Sequence, residues 1–128
     1  MRLLLDTHAL LWWDDDLKKL SDAARSALED EANTVFISVV NAWEIQIKVQ
    51  LGKPGLTRPL PEIIQTQRLT NGFELLPIEL PHILALDGLS LHHRDPFDRL
   101  LIAQARHEQL TLVSRDPRFA AYPVKVLW

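Results

Sequence analysis

Leu3-Leu4-Leu5-Asp6-Thr7-His8 sets three consecutive leucines directly against a carboxylate. An apolar run this short, stopped by an acid, reads as a strand buried on both faces, with Asp6 just beyond its carboxyl end. Outward from it the chain repeats the theme. Val35–Val40 is apolar and β-branched and reads as a second strand, Leu110–Ser114 as another. Glu74–Ile78, interrupted by Pro77, and Val124–Leu127 are weaker candidates.

Helical patterns separate these runs. Ala23 to Leu28 belongs to an amphipathic helix opened by Ser21 or Asp22, and Trp43 to Leu51 to one that stops near Gly52. Pro61 starts a helix through Leu69, Pro81 another, and Asp95-Pro96-Phe97-Asp98 a third that runs through Ala105. Strands alternating with helices imply βαβ units. The expected fold class is α/β, in three layers: a mainly parallel sheet with helices on both faces.

The 128 residues fit a single domain over 1–128, since two would each be too small for a sound core. The absence of cysteine removes disulfides, thiolate zinc sites and cysteine nucleophiles together, and fits a reducing compartment. Leu3–Leu5 is too short for a signal h-region, and no stretch approaches a membrane span, so the expected location is the cytoplasm. A net charge of −3 argues against nonspecific coating of nucleic acid. It leaves a nucleic-acid enzyme open, because bound divalent cations add charge that the residue count omits.

In open α/β sheets, ligands bind beyond the carboxyl ends of the strands. Asp6 follows the first strand, Glu44 lies early in the helix after the second, and Asp116 follows Leu112-Val113-Ser114. Asp98 lies at the start of a helix that can point at the same edge. Singly, each acid also fits a cap or turn of a kind that contributes about 1 kcal/mol. Asp6 or Thr7 can cap the next helix, and Asn41 with Glu44 fits a capping box. Asp95 can cap with Pro96 at N1, and Asp116-Pro117 can start a turn. Together the four acids would repel unless protonated or bridged by a cation. An all-oxygen donor set suits Mg²⁺, or Mn²⁺, rather than Zn²⁺.

Four segments also resemble a known family. Leu4–His8, Ser38–Ile45, His93–Ala105 and Leu112–Phe119 are similar, in order and spacing, to the signature blocks of PIN-domain proteins, above all the VapC-type toxins of prokaryotic toxin–antitoxin modules. The resemblance implies a metal-dependent endoribonuclease that cleaves RNA phosphodiesters with a metal-activated water. It further implies Mg²⁺ or Mn²⁺, a protein antitoxin and a homodimer. Asp6, Glu44 and Asp98 match the family's three main acids, and Asp116 a fourth, more variable one. Ser114 takes a place where the family carries Thr or Ser near the metal's water shell, with Thr7 a further supporting residue. Arg99 and Arg115 adjoin these positions and are candidates for RNA phosphate contacts.

Other features read as structure. All five histidines, His8 included, are expected to pack or cap, although His92 and His93 flank a site block. Asp14-Asp15-Asp16 reads as a solvated turn. Leu10-Leu11-Trp12-Trp13 is too apolar for a free helix, so one face joins the core and Trp12 or Trp13 is left for a partner surface, or the helix is wholly buried. The competing functions are a PIN-type RNA-processing nuclease without antitoxin, a receiver-like or phosphatase-like module with a phosphorylated Asp, and a non-catalytic binding module. The receiver reading lacks a paired acid after the first strand and a convincing lysine near the last strands.

Overall fold

A computed structural model describes residues 1–90 and 95–128. His92 and His93, noted above beside a site block, lie outside the described residues.

Strand β1 (Arg2–Leu5) lies at the centre of a sheet ordered β3-β2-β1-β4-β5, in which every described pairing is parallel. Its neighbours are β2 (Thr34–Ser38) and β4 (Thr111–Val113), and the edges are β3 (Glu74–Leu76) and β5 (Val126–Leu127). The leucine run forms a strand because a central parallel strand is covered on both sides and so needs no polar alternation. Leu3 and Leu5 enter one core with Leu10, Ala24, Ile45 and Ile63, whereas Leu4 enters the opposite core with Leu101, Leu112 and Phe119. All three leucines are fully buried.

The helices are α1 (Thr7–Asp15), α2 (Asp22–Glu29), α3 (Val39–Gln50), α4 (Leu60–Leu69), α5 (Leu80–Leu84) and α6 (Pro96–His107). Ser21 caps α2 and Asp95 caps α6, with Pro96 at the first helical position, as their sequences imply. None of the described helices is long and apolar enough to cross a membrane.

Several local expectations are corrected. The second strand ends at Ser38 rather than Val40, and α3 begins at Val39. Ser38, not Asn41, is the N-cap. Its hydroxyl accepts from Val40 N, and Asn41 Oδ1 accepts from Ser38 N at 2.8 Å. Glu44 therefore lies deeper in the helix than a capping box would put it. One apolar run serves two elements here, because Val40 faces the core from the helix as Ile37 does from the strand. Strand β3 stops at Leu76, ahead of Pro77. Asp116 caps a short 3₁₀ turn, Pro117–Ala121.

The acidic run is not a free turn either. Asp14 lies on α1 with its side chain 3% exposed, paired with Arg58 and receiving Gln67 Nε2 at 3.1 Å. Trp13 Nε1 donates to Gln67 Oε1 at 2.8 Å, and Leu11, Trp12 and Trp13 are half-buried against the core. Among the histidines, fully buried His82 is structural. Its Nδ1 accepts from Glu79 N at 3.0 Å.

Candidate active site at the sheet switch point

Strand order and chain order together locate the site. From β1 the chain steps outward to β2 and β3, then returns to the other side for β4 and β5. The reversal falls between β1 and β4, and such a switch point leaves a crevice outside the strand carboxyl ends. Asp6 follows β1, and Ser114 and Asp116 follow β4.

Hydrogen bonds hold Asp6 in one orientation. Oδ1 accepts from Ala9 N at 2.7 Å, so Asp6 is also the N-cap of α1. Oδ2 accepts from the Ser114 hydroxyl at 2.5 Å. Ser114 Oγ in turn accepts from Asp116 N at 3.0 Å, so Ser114 ties the two acid-bearing loops together. Each carboxylate oxygen keeps a lone pair for a further partner. Burial, partly offset by the bonds from Ser114 and Ala9, raises the Asp6 pKa above the usual carboxylate value.

Glu44 reaches the same crevice from α3. Thr7 Oγ1 donates to Glu44 Oε1 at 2.9 Å, and Lys48 Nζ lies 2.8 Å from Oε2. Asn41, fully buried, donates through Nδ2 to Thr7 Oγ1 and to Leu5 O, both at 3.2 Å. Thr7 thus links the Asp6 and Glu44 segments.

Asp98 stands at the third position of α6, below the Asp95 cap, which accepts from Phe97 N and Asp98 N. Its pKa is pushed up to about 7. Burial is the largest cause, followed by the charges of Asp95, Glu44, Asp6 and Asp116. The four sequence-derived acids therefore lie within electrostatic reach of one another. Asp116 faces Arg118, whose Nη2 lies 2.8 Å from Oδ2.

The two arginine candidates differ. Arg99 donates to Ser90 O at 3.0 Å and Leu89 O at 3.5 Å, which fastens the chain ahead of α6. Arg115 is exposed and lies over Trp12, its Cζ 4.6 Å from the ring centroid. Sequence reading missed Lys48 and Asn41. The i,i+4 spacing of Glu44 and Lys48 was the available signal for the first. Asn41 was legible only as part of a cap, because the partners of its Nδ2 lie 34 and 36 residues away.

Among the described residues, the group whose ligand atoms all lie within 4.8 Å is Glu79, His82 and Glu108, away from these acids. Its geometry would admit an ion, but both imidazole nitrogens are engaged. Nδ1 accepts from Glu79 N, and Nε2 lies 3.0 Å from Glu108 Oε1. An imidazole ligating a cation through Nε2 must carry its proton on Nδ1, facing that N–H donor.

Comparison with known proteins bears on the family and the fold. The PIN-domain family model matches residues 3–125. Ribonuclease VapC22 of Mycobacterium tuberculosis is 29% identical over 127 residues, covering 94% of this chain and 91% of that protein. In solved structures, VapBC2 from Rickettsia felis, bound to a promoter DNA fragment, superposes with a TM-score of 0.69 at 18% identity, over 98% of this chain and 97% of that one. FitAcB from Neisseria gonorrhoeae superposes with a TM-score of 0.63 at 20% identity, over 97% and 95%. The fold, the order of its strands and the family match lead to one assignment: this chain belongs to the PIN-domain family.

Proposed function

We propose that the protein is a divalent-metal-dependent endoribonuclease, the toxin of a toxin–antitoxin pair. The observation that carries the reading is Asp98, whose carboxyl is held near pKa 7 by burial and by the charges of Asp95, Glu44, Asp6 and Asp116 at the switch point. A partly buried set of like charges is a strained arrangement for the protein alone and a suitable one for a hard cation. The donor set is all oxygen, with no cysteine in the chain, which fits Mg²⁺ or Mn²⁺.

Asp6, Glu44, Asp98 and Asp116 would hold the metal, and a metal so held supplies Lewis-acid polarisation of a phosphate and a water acidic enough to attack it. The chain's own part is positioning. Ser114 and Ala9 N fix the Asp6 carboxylate, Thr7 fixes Glu44, and the Asp95 cap fixes the first turn of α6. Asp98, its pKa raised to about 7, would give up its proton on holding a cation. The relatives favour RNA as substrate and a protein antitoxin as partner: one is named a ribonuclease, and VapBC-5 from Mycobacterium tuberculosis is described as a member of the VapBC family of toxin–antitoxin systems. A homodimer belongs to the same reading.

The purified protein, incubated with a long structured RNA, is expected to cut it in Mg²⁺ or Mn²⁺ and not in EDTA. Asp6→Asn is expected to remove the activity. Cleavage that survives both EDTA and the substitution would overturn the metal mechanism.

A further inference from the structure

Beside the acids lies a cluster of flat groups that the metal chemistry does not use. His8, on the first turn of α1, stacks on Trp12 with centroids 5.5 Å apart and planes 27° from parallel. Arg115 lies over the same indole, and Trp128 leans on it at 5.8 Å. The cleft that these residues border is lined by Asp6, His8, Trp12, Arg115, Asp116 and Pro117. Two of the proposed metal ligands thus face one space with His8, Trp12 and Arg115.

Packing alone explains Trp12 and Trp128, which are half-buried. It does not explain His8 and Arg115, which are exposed. Arg115 directly precedes Asp116, yet Arg118 takes that carboxylate. Among the described residues, Arg115 has no hydrogen bond or ion pair, only the indole. A guanidinium held over an aromatic ring only by that contact keeps its N–H groups for a ligand.

We propose that His8, Trp12 and Arg115 form a stacking subsite for one unpaired nucleobase of the RNA, next to the phosphate held at the acids. The inference rests on the nuclease reading and deepens it. Nucleobases present a π-face to such a platform only when unstacked, so the subsite selects single-stranded or looped segments over duplex. It stacks without reading base edges, so it favours no particular base. The Arg115 edge is placed to meet the adjoining phosphate.

The test uses a short single-stranded RNA carrying 2-aminopurine, titrated in EDTA at low salt so that it stays intact. Wild type is expected to quench the probe on binding. His8→Ala and Arg115→Ala are each expected to weaken binding about tenfold, within the range for losing one base–aromatic contact, and to reduce the quench. His8→Phe restores both, whereas Arg115→Lys keeps salt-dependent binding but not the quench. Circular dichroism shows that the variants are folded. Unchanged binding and quench in both alanine variants overturn the subsite. Variants that leave RNA binding intact but release a protein partner overturn it as well, in favour of a protein interface. Failure of the nuclease reading is seen separately, as absence of metal-dependent cleavage of a long RNA by wild type.

Discussion

Lys48 Nζ lies 2.8 Å from Glu44 Oε2, one turn along α3, with the lysine side chain 42% exposed and the glutamate 7%. A pair so open to water contributes at most about 1 kcal/mol to stability. On the proposed reading its effect on the site is larger in kind, because Lys48 and an incoming cation would compete for one carboxylate. Lys48→Ala is expected to leave the urea midpoint nearly unchanged and to tighten Mg²⁺ binding measured by calorimetry. Weaker Mg²⁺ binding would show instead that Lys48 helps to hold Glu44 in place.

Asp98→Asn separates the site from the cap. Asp95, not Asp98, caps α6, so the substitution removes a repelling charge and no capping bond. Metal-free Asp98→Asn is expected to be at least as stable as wild type at pH 8, by chemical denaturation. RNA cleavage in Mg²⁺ should fall by more than the roughly 10–100-fold typical of an outer-shell change. A strongly destabilised variant would mark Asp98 as structural.

The pH dependence follows from the same residue. Asp98 titrates at about 7 in the folded protein against an ordinary 3.8. Between these values the folded protein holds a proton that the unfolded chain has released, so stability falls as pH rises. In EDTA, the free energy of unfolding is expected to decline from about pH 4 to about pH 7 and then level, with Asp6 adding in the same direction. Saturating Mg²⁺ replaces the proton and flattens the decline. Denaturation curves at pH 5, 6, 7 and 8 decide it, and a metal-free protein growing more stable across that span would contradict the site's electrostatics.

Ser114→Ala deletes the hydroxyl that serves Asp6 Oδ2 and Asp116 N. Leaving such buried groups short of a partner costs about 1–3 kcal/mol. The Asp6 carboxyl should also titrate higher, because the lost bond lowers its pKa in wild type. Ser114→Thr keeps the hydroxyl and is expected to behave as wild type. Equal losses in both variants, measured by denaturation and Mg²⁺ titration, would mean that packing rather than the hydroxyl matters at this position.

Much of this was legible in the sequence for a physical reason. A central parallel strand buried on both faces has to be a short, unbroken apolar run, so Leu3–Leu5 announces itself, and Asp6 with it. Asp98 was placed by the local grammar of Asp95-Pro96. The start of α3 was not legible in the same way, because Val39 and Val40 continue an apolar run across the element boundary. Asp14 was misread because its partner Arg58 is 44 residues away. The stack of His8 on Trp12 is an i,i+4 pair, yet its meaning came only with Arg115, brought over by the pairing of β4 with β1.

The bond between Ser114 and Asp6 spans 108 residues. During synthesis at about 5–20 residues per second, Asp6 leads its partner by roughly 5–20 s. Through that interval β1 has no β4 beside it, and neither Ser114 nor Asp116 has been added to the chain. A growing chain tethered to a ribosome, surrounded by RNA, therefore lacks one acid of the proposed set and the hydroxyl that orients another until residue 116 has been added.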